Sequence, residues 1–146
     1  MKSLRDTLKE RVLIVDGAMG TMLQDQNPTL EDFQGHEGCN EILNVSSPEM
    51  VKSVHRAYLA VGVDAIETNT FGANFGNLAE YGIEDRIYEL AFAGAKLARE
   101  VADEFSSTQA RWVFGSIGPG TKLPTLGHTT YATLRDAYQE CARGLI

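Results

Sequence analysis

Three apolar runs, each followed by a loop and a helix, limit most strongly what this chain can fold into. They cover Val12–Val15, Val63–Thr68 and Trp112–Ile117 and recur about every 50 residues. The first run, VLIV, contains no polar residue, which is typical of a strand covered on both faces of a parallel sheet. The repeat therefore predicts an α/β fold whose parallel strands are joined by right-handed crossovers, in an open doubly wound sheet or a (β/α)8 barrel.

Helix signals occupy the stretches between and after the runs. Ser47 is the expected N-cap of a helix at Pro48–Val61, which Gly62 ends. Acidic residues open a second helix, roughly Glu84–Phe105, and a third begins near Thr130.

Apolar stripes at helical spacing predict which face of each helix is buried. The stripes comprise Val51, Val54, Tyr58 and Val61 on the first helix, Ile87, Leu90, Ala91, Ala98, Val101 and Phe105 on the second, and Leu134, Ala137, Tyr138, Cys141 and Leu145 on the third. We expect the Cys141 side chain in the core, His55 on a solvated helix face and His128 in a loop.

Composition excludes several classes of partner. The chain has 146 residues, 43% hydrophobic and 23% charged, as expected of one globular unit. Its formal charge is -7 and its basic residues are scattered, so we expect no nucleic-acid partner. No apolar run is long enough to span a bilayer and no secretion signal is present, which predicts a cytoplasmic protein.

The number of repeats is small for a barrel. Three strand–helix units are fewer than half of the eight that a barrel needs, so we expect a fragment of a longer protein. The alternative is a self-sufficient small α/β domain with three strands.

Polar, glycine-bearing loops follow all three runs: DGAMGT, NTFGANFGN and GPGTKLPTLGHTT. The carboxyl ends of parallel strands meet at one edge of a sheet, which predicts one shared site. In the first loop, Asp16 could receive an ammonium group while Gly17 and Gly20 let backbone amides approach a carboxylate, as an amino acid requires. Alternatively, Asp16 merely caps the turn and the glycines supply positive φ angles.

The second run ends in another acidic residue. Alternation along VDAIETN places Ala65, Glu67 and Asn69 on one face and Ile66 with Thr68 on the other. Since Ile66 belongs against helices, Glu67 would face the barrel interior near its open end, as a ligand contact or supporting hydrogen-bond acceptor. A structural acid satisfied by loop amides is the alternative.

Metal and nucleotide motifs are weak. His36, Cys39 and Glu41 could be metal ligands, but a single HxxC pair without a second pair rarely forms a site. GAMG lacks the GxGxxG spacing, and in GSIGPGTK the lysine does not directly follow the second glycine, so neither dinucleotide nor P-loop binding is predicted.

Several longer segments carry a family resemblance. VDGAMGTMLQ, GCNEILNVSSPEMVKSVHRAYLAVGVDAIETNTFGAN, AKLAREVADEF and GSIGPGTKLPTLGHTTYATLRDAY resemble the homocysteine-binding domain of cobalamin-dependent methionine synthases, within the wider homocysteine S-methyltransferase family. The resemblance covers almost the whole chain. It implies that residues 1–146 form the first three βα units of a (β/α)8 barrel, as one domain incomplete at its carboxyl end.

The resemblance also implies a site and a reaction. Asp16 with the Gly17 and Ala18 amides would hold the amino-acid end of L-homocysteine, and Glu67, Thr68 and Asn69 would line the same mouth. The family transfers a methyl group from methylcobalamin, recharged by 5-methyltetrahydrofolate, to a zinc-bound homocysteine thiol. The three zinc-binding cysteines would follow Ile146, and the folate and cobalamin modules would lie elsewhere in the full-length chain. No metal ligand or catalytic residue is thus assigned among residues 1–146.

Two alternatives stay open. One is an enzyme that takes its methyl group from betaine or S-methylmethionine. The other is a half-barrel without catalytic activity, and by itself a 146-residue fragment is expected to be inactive.

Overall fold

The computed structural model describes residues 3–107 and 109–146. Within these ranges the helices are α1 (Leu4–Leu8), α2 (Met19–Gln24), α3 (Leu43–Ser46), α4 (Pro48–Ala60), α5 (Phe75–Leu78), α6 (Ile87–Glu104) and α7 (Tyr131–Leu145). The strands are β1 (Ala65–Glu67) and β2 (Trp112–Phe114), and short 3-10 turns cover Asn40–Ile42, Glu84–Arg86 and Pro124–Leu126. No helix in the described part is both long and apolar enough to cross a membrane.

The three apolar runs lie side by side and parallel, as predicted. β1 pairs with β2 in the register Ala65 to Trp112 and Glu67 to Phe114. The first run contributes only an isolated parallel bridge, between Val15 and Ala65. The predicted strand at Val12–Val15 is therefore wrong in extent, and no helix among the described residues buries its side chains, since Val12 is 84% and Ile14 63% exposed.

The first predicted helix is confirmed as α4, with three corrections in side-chain placement. Ser47 occupies the N-cap position, but its hydroxyl donates to Asp32 Oδ1 at 2.6 Å and makes no capping bond. Val61 is 80% exposed, since the helix has ended before it and Gly62 turns the chain with φ 98°. His55 is fully buried, so its predicted solvated position is wrong.

The later helices follow their predicted positions closely. A 3-10 turn occupies Glu84–Arg86, and α6 continues from Ile87 to Glu104. Thr130 caps α7 by accepting the Thr133 N–H at 3.1 Å. The stripe on α7 is mostly half-buried, with Cys141 and Gly144 the fully buried positions.

Helices cover one face of the sheet. Ile66 points to that face and joins a core cluster with Leu59 of α4 and Ala98 and Val101 of α6. The opposite face lies open, because Leu13, Val15 and Phe114 line a groove of about 670 Å³ there. The architecture is thus α/β, with a parallel sheet packed on helices along one face and its polar loops at the carboxyl ends of the strands.

Candidate functional site

A cavity of about 320 Å³ lies where the three runs end. Its walls come from the loops after the runs and from the turn at Asn40–Ile42. The lining residues are Asp16, Gly17, Met19, Gly20, Asn40, Glu41, Glu67, Thr68, Asn69, Thr70, Phe71 and Ser116. A cavity therefore lies where the shared site is predicted, and among the described residues no lysine or arginine lines it.

Asp16 is anchored to β1 by its backbone and its side chain. Its N–H donates to the Ala65 carbonyl at 3.1 Å, and its Oδ1 accepts the Glu67 N–H at 2.9 Å. Burial raises the pKa of Asp16 to about 6, against the lowering effect of the Glu67 N–H bond. At neutral pH the side chain is an anion beside the cavity, where it can accept a hydrogen bond from a cation.

Glu67 offers the second carboxylate of the cavity. It ends β1 as an exposed residue, and its Oε2 accepts a 3.3 Å hydrogen bond from Ser116 Oγ. The predicted orientation of Glu67 into the open end is consistent with this position. The carboxylate after the first run and the carboxylate at the end of β1 therefore face one space.

Thr68 and Asn69 line the cavity, but their side chains form hydrogen bonds to other protein groups. Thr68 Oγ1 accepts the Ser116 N–H at 2.9 Å, and it was expected on the face opposite Glu67. It reaches the cavity because β1 ends at Glu67, so that strand alternation no longer applies. The Asn69 amide donates to the Asn40 carbonyl at 2.8 Å and to Asn44 Oδ1 at 2.9 Å.

The turn containing Gly17 and Gly20 lies close to neighbouring side chains. Gly17 and Gly20 both line the cavity, and neither has a positive φ, so the alternative that they supply left-handed backbone is wrong. A Cβ on Gly17 would lie 3.2 Å from the Tyr58 hydroxyl oxygen. Ala18 does not line the cavity, and its carbonyl accepts the Tyr58 hydroxyl at 3.0 Å.

Sequence reasoning missed the turn that supports these loops. Asn44 Nδ2 donates to the Asn69 carbonyl at 2.8 Å, and Glu41 Oε1 accepts the Gly72 N–H at 2.7 Å. Burial raises the pKa of Glu41, whose carboxylate lines the cavity. The available signal was that polar Asn40, Glu41 and Asn44 surround the apolar pair Ile42 and Leu43 just before a predicted helix.

The residues suggested as metal ligands do not form a site. Cys39 Sγ lies 3.9 Å from Glu41 Oε2, but His36 packs edge-on against Tyr81 instead. Burial raises the pKa of the Cys39 thiol to about 11, which disfavours the thiolate that binds metals. Across residues 3–107 and 109–146 no three His, Cys, Asp or Glu side chains are grouped to hold a metal ion. This donor set does not fit zinc, so no chemical step is assigned to a metal in this chain.

Comparison with known proteins decides the family. The profile described as homocysteine S-methyltransferase matches residues 13–146. The chain belongs to this family. It is 56% identical over 144 residues to the methionine synthase of Mycobacterium tuberculosis and 54% identical over 144 residues to that of Mycobacterium leprae. Each match covers 98% of this chain, which spans 12% of the length of either relative.

Solved structures show the same fold. The metallated form of the homocysteine methyltransferase MmuM from Escherichia coli matches with a TM-score of 0.72 at 22% identity, covering 97% of this chain and 52% of that one. The oxidised form of MmuM matches with a TM-score of 0.70 at 22% identity, covering 97% of this chain and 53% of that one. The α/β fold of this homocysteine S-methyltransferase family member therefore corresponds to about half of MmuM.

Proposed function

We propose that this chain is the homocysteine-binding part of a methionine synthase. The observation that carries the proposal is its 56% identity to a methionine synthase over 98% of its length. We further propose that residues 1–146 form the first three βα units of a (β/α)8 barrel. The parallel order of the three runs and the coverage of about half of MmuM support this arrangement.

The reaction would convert L-homocysteine to methionine. The methyl group would come from methylcobalamin, which 5-methyltetrahydrofolate recharges, and both would be bound by other modules of a longer chain. Zinc, held by cysteines outside the described residues, would bind the homocysteine sulfur and favour its deprotonated, nucleophilic form. The residues of this chain would bind and orient the amino-acid end of the substrate.

The charge of the cavity supports a ligand with an ammonium group. Asp16 follows the first apolar run and Glu67 ends β1, and the described lining residues include no cation to neutralise them. We propose that these carboxylates receive the homocysteine ammonium while the turn beginning at Gly17 offers backbone amides to its carboxylate. Thr68 and Asn69 would then act mainly by holding the walls, because their side chains bond to the protein.

Replacing Asp16 tests the proposal in the complete gene product. Asp16→Asn should raise the KM for L-homocysteine at least about tenfold, since a charge-assisted hydrogen bond is lost. Its melting temperature should not fall at pH 7, because burial raises the pKa of Asp16 and its charged form disfavours folding. Wild-type binding should weaken below pH 6 as Asp16 gains a proton.

Asp25→Asn is the matched control, because Asp25 is exposed at the end of α2 and lies outside the cavity lining. An unchanged KM in Asp16→Asn would remove Asp16 from the site. Product formation with betaine or S-methylmethionine, and none with methylcobalamin, would replace the proposed methyl donor.

A further inference from the structure

Glu41 is a half-buried acid to which the proposed reaction gives no role. Its Oε1 accepts a 2.7 Å hydrogen bond from the Gly72 N–H, and the Cys39 thiol lies 3.9 Å from its Oε2. Among the described residues no ion pair to Glu41 is formed, and a carboxylate removed from water without a cation is costly. Its 2.7 Å bond goes to the loop that follows β1.

That loop is tightly held on both sides of Phe71. A Cβ on Gly72 would lie 2.7 Å from Glu41 Oε1, and one on Gly118 would collide with the Phe71 carbonyl oxygen. The Gly118 N–H donates to that same oxygen at 3.1 Å. Close contacts on either side therefore hold Phe71: the backbone contact at Gly118 requires glycine, and the contact at Gly72 is made by the Glu41 side chain.

The Phe71 side chain needs these contacts because packing alone holds it weakly. It is 58% exposed, yet it forms part of the wall of the cavity that contains Asp16. An exposed aromatic side chain gains little from burial, so its direction depends on the backbone that carries it. The bond from Gly72 to Glu41 sets that backbone immediately after Phe71.

We infer that Glu41 is a positioning residue for the amino-acid ligand: by accepting the Gly72 N–H it keeps Phe71 against the cavity. The inference rests on the proposed function, because homocysteine is the ligand concerned. It assigns Glu41 an effect on ligand affinity through the loop and no direct contact with the reacting atoms.

The test uses KM, kcat and melting temperature of the complete gene product with L-homocysteine. Glu41→Ala should raise KM about tenfold and leave kcat within about twofold, since the loop loses a charge-assisted bond. Glu41→Gln keeps an oxygen that can accept the Gly72 N–H and should restore KM to within about threefold of the wild type. Glu80→Ala is the matched control, because Glu80 contacts Thr121 on a nearby loop outside the cavity lining.

A double-mutant cycle adds a second readout. Phe71→Ala should raise KM to a similar extent as Glu41→Ala, and the double variant should be no worse than either single variant, since both act through one wall. Additive effects in the double variant would overturn the inference.

Further results would also overturn the positioning role of Glu41. If Glu41→Gln raises KM as much as Glu41→Ala, the charge acts on the ligand directly and the positioning role is wrong. If the Glu41 variants lower only the melting temperature, the residue is structural. A raised KM in Asp16→Asn with none in Glu41→Ala refutes this inference alone, whereas a wild type that does not use L-homocysteine refutes the proposed function as well.

Discussion

β1 and the apolar run at Val12–Val15 are neighbours of similar composition, but only β1 is a regular strand. Ile66 in β1 is fully buried, whereas Ile14 in the first run is 63% exposed. β1 has the bridge to Val15 on one side and β2 on the other, while the first run has a described neighbour on one side only. β2 is also regular although, within the described residues, it pairs with β1 alone, and its Val113 packs against the same core cluster as Ile66. Packing against helices, more than apolar content or the number of neighbouring strands, therefore separates β1 and β2 from the first run.

The largest expected effect compares isoleucines in the two regions. Ile66→Ala should lower the free energy of unfolding of the 146-residue chain by about 4 kcal/mol, because it leaves a cavity between β1 and the helices. Ile14→Ala should change it by less than about 0.5 kcal/mol, because the side chain is already in water. Urea unfolding of both variants measures the difference.

The same pair of variants tests the barrel proposal in the complete gene product. There, further helices would cover Ile14, and Ile14→Ala should lower the free energy of unfolding by about 2 kcal/mol or more, as truncation of a buried isoleucine does. Equal tolerance of Ile14→Ala in the short and the complete protein would argue that the first run stays an open edge.

The next effect concerns the helix that covers β1 but not the first run. His55 lies buried on α4, and burial lowers the pKa of its imidazole to about 4. Between pH 6.5 and 4 the unfolded chain binds a proton that the folded protein excludes, so stability should fall as pH falls, by about 3 kcal/mol at pH 4. No loss is expected above pH 6.5.

The control for that pH dependence is His55→Leu, which removes the titrating group and keeps an apolar side chain in the core. Urea unfolding at several pH values should show that the variant lacks this part of the acid destabilisation. An identical pH profile in both proteins would show that His55 is protonated without cost in the folded state.

The smallest expected effect concerns the contact that holds the first run in place. Asp64 accepts the Ile14 N–H at 2.9 Å and two bonds from Arg11 at 2.6 and 2.7 Å. Asp64→Asn should cost about 2 kcal/mol at neutral pH, through weakening of charge-assisted bonds. Amide exchange should speed up more at Ile14 than at Ile66, which would sharpen the contrast between the two regions.

The Asp64 contact also loses stability in acid, but for a different reason from His55: hydrogen bonds favour the charged form of Asp64, whereas burial disfavours the charged form of His55. Hydrogen bonds from Arg11 hold the pKa of Asp64 at about 2, so its stabilisation is complete above the unfolded value of 3.8 and is lost as pH falls through 2. Asp6→Asn is the control, since the Asp6 pair with Lys9 is exposed to solvent and its loss should leave stability nearly unchanged. A loss as large in Asp6→Asn would assign the effect to general surface charge.

Helix positions were predictable because their signals are local. Pro48 begins α4, and Thr130 caps α7 with the neighbouring Thr133 N–H. His55 also carried a usable signal, because it lies four residues after Val51 on the buried stripe of the same helix. Because histidine is polar, a solvated position was predicted, but the structure shows that its place on the stripe determines its burial.

Strand lengths and the support of the site depend on distant partners and were less predictable. The second and third runs are regular only at Ala65–Glu67 and Trp112–Phe114, where two segments about 47 residues apart meet in register. Asp16 and Glu67 were recognisable as loop carboxylates that follow strands. The role of Glu41 was not, because its partner Gly72 lies 31 residues away and offers only a backbone N–H.

The pairing of Ile14 with Asp64 also sets an order of events during synthesis. The two residues are 50 positions apart, so at about 5–20 residues per second a ribosome needs roughly 3 to 10 seconds to supply the partner. During that interval the nascent VLIV segment has no strand beside it. The charged residues Lys9, Glu10 and Arg11 directly before it are of the kind that flank apolar strands and oppose aggregation until β1 emerges.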